Sequence, residues 1–179
     1  MTLAQSIYFG FYLNRKEKLM KPLRKATVLD GATISRKELR NLITSELDGK
    51  LSKKWCLHTA DANYYLPRLD AAKKIIADSN MQQLASPSGT KRRGECFDCD
   101  DFSLLLKARF AYAAYSNKEH LNRPYCFGIV WGMLPFPFPH SMNWIVTDDK
   151  KFYFIEPQRQ EVISLEKCKN YRFINLMLV

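Results

Sequence analysis

Three stretches of the chain repeat apolar residues at intervals of three and four, which is the spacing of an amphipathic helix. The first stretch also carries a capping signal, since Ser35 can cap a helix and Glu38 follows three residues later. We therefore predict three helices: one after Ser35 that Gly49 would end, one from about Leu69 to Leu84, and one from close to Cys99 to Ser116.

Beyond Pro124 the pattern changes to runs of aromatic and β-branched residues, which are typical of strands. Three such runs are predicted to be strands: 125–131, 143–147 and 152–155. The proline-rich segment 133–139 is predicted to be a loop, because proline cannot donate to a sheet ladder. This order of helices and then strands predicts an α+β fold, in which a central helix beginning at Cys99 packs on an antiparallel β-sheet.

The length of 179 residues and an apolar content of 46% predict one globular unit with a substantial core. Its net charge of +10 arises largely in the first half. Residues 1–55 are predicted to be a basic, partly helical accessory region, and residues 56–179 the main domain. A basic surface favours acidic partners such as nucleic acid, a membrane surface or an acidic protein, although a solvated face that aids solubility is the simpler interpretation.

The membrane and redox signals are also readable from the sequence. No segment has the uninterrupted apolar length of a transmembrane helix, and the first apolar stretch does not fit a secretion signal. The five cysteines are odd in number and irregularly placed, which argues for reduced thiols and against a disulfide framework. We therefore expect a cytoplasmic protein.

The segment around Cys99 carries the clearest chemical signal. A thiol at a helix N-terminus lies at the positive end of the helix dipole, which favours the reactive thiolate, and the free N–H groups there can hold an oxyanion. A cysteine at the start of a buried helix is also commonly a small core residue. In addition, Cys96 and Cys99 form a C-x-x-C pair, so a redox dithiol, or half of a zinc site completed by Cys56 and His58, is a further interpretation.

His140 stands where the proline-rich loop meets a predicted strand, a position that suits a catalytic base. If residues 148–150 form the following hairpin loop, Glu156 faces Met142 and shares a face with His140 on a diagonal; a two-residue loop would separate them. A thiol nucleophile needs an imidazole to take its proton, and the imidazole needs an acceptor that fixes its tautomer. We therefore predict Cys99 as nucleophile, His140 as base and Glu156 as the orienting acid.

Four ordered motifs resemble a known family: Asp98–Phe102, Phe127–Gly132, Pro139–Trp144 and Phe154–Gln158. They are similar to the papain-like cysteine protease domain of the Marasmius oreades agglutinin and its bacterial relatives, and more broadly to papain-like and transglutaminase-like cysteine peptidases. The resemblance covers roughly residues 55 to 165. It implies a papain-like fold, a cysteine, histidine and glutamate triad on Cys99, His140 and Glu156, and activation by a divalent cation such as calcium.

The same comparison indicates one departure and one cofactor. That agglutinin also has a sugar-binding β-trefoil, but the first 55 residues here are too few and too basic to form one, so no sugar-binding module is expected. Asp98, Asp100 and Asp101 crowd the thiol and would raise its pKa unless a cation offset their charge. This favours Ca²⁺ or Mn²⁺ at these carboxylates, one of which alternatively complements the helix dipole.

The sequence therefore predicts a papain-like cysteine hydrolase that cleaves a peptide or isopeptide bond in a peptide or protein substrate through an acyl-enzyme on Cys99. Transglutaminase-type acyl transfer uses the same residue types. One alternative is an inactive papain-like scaffold that binds an acidic partner or nucleic acid through its basic N-terminal half. The other is a thiol-redox or zinc protein that uses Cys96 and Cys99.

Overall fold

A computed structural model describes residues 32–85, 97–117, 123–133, 139–168 and 172–179 of the chain. The first 31 residues of the predicted accessory region, Cys96 and most of the proline-rich loop lie outside the described residues. Within the described ranges, no helix is both long enough and apolar enough to cross a membrane. The four cysteines described there are free thiols, as expected from their number and spacing.

The first described range contains β1 (Thr33–Ser35), α1 (Arg36–Glu46), β2 (Leu51–His58), β3 (Asn63–Tyr65), α2 (Leu69–Asp78) and α3 (Met81–Ala85). Strands β1 and β3 form a small antiparallel sheet. The predicted cap of α1 is confirmed: the Ser35 side chain accepts from the backbone N–H of Glu38, and the Glu38 carboxylate accepts from that of Ser35.

The second predicted helix is shorter than expected, because it is interrupted before Leu84. Helix α2 ends at Asp78, and the Ser79 hydroxyl donates to the carbonyl of Ile76 in place of continuing the helix. Asn80 then adopts a positive φ of 55°, a conformation that asparagine tolerates better than most residues. The chain therefore turns there and resumes as the separate short helix α3.

The remaining elements are α4 (Cys99–Ser116), β4 (Phe127–Met133), β5 (His140–Val146), β6 (Phe152–Glu156), β7 (Glu161–Ser164), a 3₁₀ helix (Leu165–Lys167) and β8 (Arg172–Leu178). Helix α4 begins and ends where the sequence predicted. Its N-cap is Asp98, whose side chain accepts from the backbone N–H of Asp100, while the Asp101 carboxylate accepts from that of Asp98.

The main sheet has six strands in the order β2-β8-β4-β5-β6-β7. Strand β8 lies between β2 and β4, and it is parallel to β2 and antiparallel to β4. The prediction of an antiparallel sheet is therefore wrong, since the sheet is mixed. The parallel pair joins Leu51 to Ile174, from opposite ends of the described chain, so no local pattern could reveal it. Strand β2 also continues across residue 55, the predicted boundary between the accessory region and the main domain. That boundary stays a prediction.

The hairpin formed by β5 and β6 has the register that the sequence predicted. Val146 pairs with Phe152, and the backbone N–H of Thr147 donates to the carbonyl of Lys151 at 3.0 Å. Residues 148–150 therefore form the loop, and Lys150 takes the positive φ that a three-residue loop requires. The same register brings Glu156 opposite Met142 and diagonal to His140.

The main sheet has a core on each face. Helix α1 packs its buried Leu39 and Ile43, together with its C-cap residue Leu47, on one face, in a cluster that includes Trp144 and Phe154. Helices α2 and α4 cover the other face, where the rings of Phe110 and Phe127 stack at 3.6 Å between centroids. The N-terminus of α4 lies at an end of the sheet, so residues from the helix and from the strands meet there.

Candidate functional site

A cavity of about 350 Å³ opens between the start of α4 and the adjoining ends of β4, β5 and β8. Helix α4 contributes Cys99 and Asp100, β4 contributes Trp131, β5 contributes His140, and β8 contributes Asn175. The cavity thus combines a thiol, a carboxylate, an indole ring, an imidazole and an amide. Such a mixture of apolar and convergent polar groups is typical of a ligand site.

The imidazole in this cavity is held by Glu156. His140 Nε2 and Glu156 Oε2 are 2.8 Å apart, and the side chains are only 9% and 8% exposed. The other carboxylate oxygen accepts from the backbone N–H of Gln158 at 3.2 Å, which fixes the carboxylate in turn. The structure therefore brings together the two residues that the hairpin argument paired, and it orients the ring.

Cys99 reaches the same cavity from α4. The backbone N–H of Ser141, the residue after His140, interacts with its sulfur. Burial raises the pKa of the Cys99 thiol, and the nearby carboxylates of Asp98 and Asp100 raise it further, whereas the Ser141 N–H acts in the opposite direction. Burial and these carboxylates therefore oppose the thiolate that the position at the helix N-terminus favours.

Acidic groups surround the start of α4. Ligand atoms of Asp98, Cys99 and Asp100 lie within 4.8 Å of one another. The pKa of Asp100 is raised, chiefly by its hydrogen bond with the Asp98 side chain, and a cation bound here would offset the charge of the two carboxylates. These oxygens suit Ca²⁺ or Mn²⁺ better than the thiol does, and Asp101 serves the helix cap. A metal here stays a prediction.

The zinc alternative gains no further ligand in the described part of the chain. Cys56 Sγ lies 3.7 Å from His58 Nε2, with both residues exposed on β2. Among the described residues, the one group of three metal-ligating side chains is that of Asp98, Cys99 and Asp100. Cys96 lies outside the described residues, so the C-x-x-C pair stays an alternative interpretation.

Two residues that position this site, Asn143 and Ser103, were not predicted from the sequence. Asn143 is fully buried, and its side-chain amide donates to the carbonyls of Ser103, at 2.9 Å, and Gly128, at 3.1 Å. The Ser103 hydroxyl donates to the carbonyl of Cys99 at 2.8 Å. Together they attach the first turn of α4 to the strand that carries His140. An asparagine inside a strongly apolar strand was the signal that could have identified them.

The agglutinin C-terminal family matches residues 64–162, which is more than half of the chain and includes Cys99, His140 and Glu156. The chain belongs to this family. No curated protein matches the chain. The family assignment agrees with the agglutinin part of the resemblance that the sequence motifs indicated.

Ten chains of solved structures match this one, and two of them illustrate the shared fold. A structure described as a PSL1a–E64 complex is 21% identical, with a TM-score of 0.68 over 82% of this chain and 50% of that one. The Polyporus squamosus lectin bound to the human-type influenza-binding epitope Neu5Aca2-6Galb1-4GlcNAc is also 21% identical, with a TM-score of 0.65 over 82% of this chain and 49% of that one. The chain thus spans about half the length of these proteins.

These findings correct several predictions. The papain-like or transglutaminase-like fold is wrong, because the mostly sheet architecture with its mixed six-stranded sheet is one found in a lectin. The predictions of a cysteine hydrolase, of thiol protease activity and of a peptide substrate are likewise contradicted, since the family that matches the chain is an agglutinin family and a lectin bound to a sugar epitope shares the fold. The expected lack of a sugar-binding module is corrected by the same findings. The individual roles of Cys99, His140 and Glu156 stay predictions.

Proposed function

We propose that this chain is a carbohydrate-binding module of the agglutinin type, and that its ligand site is the cavity beside Cys99. The observation that carries the proposal is the family match, taken with the likeness to a lectin that binds a sialylated trisaccharide. The likeness extends over about half of that lectin, so sugar binding comes to this chain as part of the proposal.

The side chains of the cavity support a sugar as the ligand. The half-buried Trp131 offers a flat apolar ring against which the C–H face of a pyranose can pack. The Asp100 carboxylate accepts from sugar hydroxyls, and the Asn175 amide both donates and accepts. A volume of about 350 Å³ suits one sugar residue of a longer glycan.

The predicted site residues take binding roles in this proposal. Glu156 holds the His140 ring at 2.8 Å, so the imidazole is oriented before the ligand arrives, which lowers the entropy cost of binding. The Cys99 thiol forms part of the wall. A Ca²⁺ or Mn²⁺ ion at Asp98 and Asp100 would offset the charge of these two carboxylates. A cytoplasmic setting is kept as part of the proposal.

Titration calorimetry with Neu5Acα2-6Galβ1-4GlcNAc and with the unsialylated disaccharide, with and without Ca²⁺, tests this function. We expect saturable binding that Trp131→Ala weakens tenfold or more, since a central aromatic residue commonly contributes ~2 kcal/mol at an interface. Tyr115→Ala is the matched control, because Tyr115 is an 86% exposed aromatic residue on the far end of α4 and should leave the affinity unchanged.

The proposal fails if a panel of glycans shows no saturable binding, or if Trp131→Ala binds as wild type does. A second measurement examines the thiol directly, by following alkylation of Cys99 with iodoacetamide across pH. We expect the midpoint to lie above the ordinary value of ~8.5. A midpoint below that value that is lost in His140→Ala, together with absent glycan binding, would show that the cavity is built for thiol chemistry instead.

A further inference from the structure

Arg109 lies in the interior of α4, ten residues beyond Cys99 and therefore ~15 Å from it along the helix. It is only 5% exposed. Its neighbours on the same helical stripe, Leu106 and Ala113, belong to the core that α4 forms with Ile75 and Ile76 of α2. A guanidinium group thus lies on the side of α4 that packs on α2, in otherwise apolar surroundings.

The Nε atom of Arg109 is buried and has no hydrogen-bond partner in the described part of the chain. None of the ion pairs formed by the described residues includes Arg109. The other buried cation of the helix, Lys107, differs in this respect, because its Nζ donates to the carbonyl of Phe127 at 2.6 Å.

An unpaired guanidinium is costly to bury, because it remains charged and has five N–H donors to satisfy. Burial lowers the pKa of Arg109, whereas the nearby Tyr112 acts in the opposite direction. Tyr112 follows one turn later on the helix and is 42% exposed, so a partly exposed phenol lies near the buried cation. A ligand that approached along Tyr112 could therefore reach the guanidinium.

We propose that Arg109 and Tyr112 form a receptor for one small oxyanion: a carboxylate, sulfate or phosphate group. The planar guanidinium fork binds such groups through two parallel hydrogen bonds, and the tyrosine hydroxyl supplies a further donor. The receptor lies apart from the cavity beside Cys99 and goes beyond the proposed sugar binding. The oxyanion comes either from a free ion or from the acidic group of a larger ligand.

Thermal unfolding in sodium chloride and in sodium phosphate of equal ionic strength tests this receptor. We expect phosphate to raise the unfolding temperature of the wild type saturably, by about 4 °C, and to have no such effect on Arg109→Met. In chloride, Arg109→Met should be at least as stable as the wild type, because it removes an unpaired buried charge. Arg68→Met is the matched control, since Arg68 is exposed and already paired with Asp70 at 2.7 Å.

Nuclear magnetic resonance of the Arg109 Nε–H group distinguishes the two sources. A saturable shift of this signal with inorganic phosphate supports a free anion, and a shift with the sialylated trisaccharide alone supports the acidic group of a larger ligand. The proposal is overturned if neither moves the signal. It is also overturned if phosphate stabilises Arg109→Met as much as the wild type, or if Arg109→Met is destabilised equally in both salts, which would mean a packing role.

Discussion

The two faces of the six-stranded sheet are built from different chemistry. On the α1 face the fully buried side chains are apolar, with Trp144 and Phe154 of the sheet meeting Leu39 and Ile43 of the helix. The α4 face contains the buried polar or charged residues Ser103, Arg109, Ser141 and Asn143. Both faces are closely packed, but the buried polar groups of the second face include those that attach α4 to β5, through Ser103 and Asn143. The difference separates a face that stabilises the fold from a face that organises its candidate sites.

Helices α1 and α4 differ in the same way. Helix α1 is amphipathic, and its buried residues fall on one stripe. Helix α4 places Arg109 and Ser103 toward the core while Leu104, at 59% exposed, and Tyr115 point to solvent. Burying polar groups and exposing apolar ones costs stability, so we interpret α4 as a helix whose composition serves its sites.

The strongest test of this contrast is Trp144→Ala on the α1 face. Trp144 is fully buried, stacks on Phe152 at 5.7 Å between ring centroids, and donates from Nε1 to the carbonyl of Ile129. We expect a loss of about 3–5 kcal/mol in the free energy of unfolding, from the cavity and the lost hydrogen bond. Urea unfolding followed by circular dichroism measures it, and a loss below ~1 kcal/mol would mean that this face does not dominate stability.

A smaller effect is expected from Asn143→Leu, which removes the polar link on the α4 face. The change leaves the carbonyls of Ser103 and Gly128 without their side-chain donor, so we expect a loss of roughly 2 kcal/mol. Urea unfolding again provides the measurement.

Met142→Leu is the matched control for that change. Met142 precedes Asn143 on β5, is equally buried and points to the opposite face, where a change that conserves volume should cost less than ~1.5 kcal/mol. Asn143→Leu should also weaken ligand binding in the cavity, since it frees the first turn of α4. Equal losses from the two variants, with unchanged binding, would remove the distinction between the faces.

The smallest expected effect is a pH dependence of the free energy of unfolding that arises from Lys107 on α4. Burial lowers the pKa of Lys107 in the folded chain, so the unfolded chain binds more protons between that lowered value and the ~10.4 of a free lysine. Stability should therefore rise with pH in this window. In Lys107→Met this rise should be absent, which urea unfolding between pH 7 and ~10 can detect. Parallel pH profiles for the two proteins would show that Lys107 is not desolvated.

Much of the local structure could be predicted from the sequence. The Ser35 cap, the start of α4 at Cys99 and the register of the β5–β6 hairpin are confirmed. Each depends on neighbours within a few residues, where side-chain spacing and turn length leave few alternatives. The pairing of His140 with Glu156 followed from that register, so this half of the candidate site was also predictable.

The rest depended on contacts between distant parts of the chain. Strand β8 pairs with β2 in parallel. No local sequence pattern in either strand indicates which strand it pairs with, so the mixed sheet was not predicted. The interval of three and four residues in α4 places Arg109 on the buried stripe with Leu106 and Ala113, but it does not show which groups surround the guanidinium in the fold. Trp131 and Asn175 reach the cavity from strands that meet only in the folded sheet.

The sequence by itself determined the helix boundaries near their caps, the hairpin register and the family motifs, because each is encoded by residues close together in the chain. The tertiary structure decided the chemical state of the site those motifs form. Cys99 lies at a helix N-terminus, as the sequence indicated, but burial and the two neighbouring carboxylates raise its pKa. The desolvation of a group depends on all the atoms that pack around it, and these atoms come together only in the folded chain.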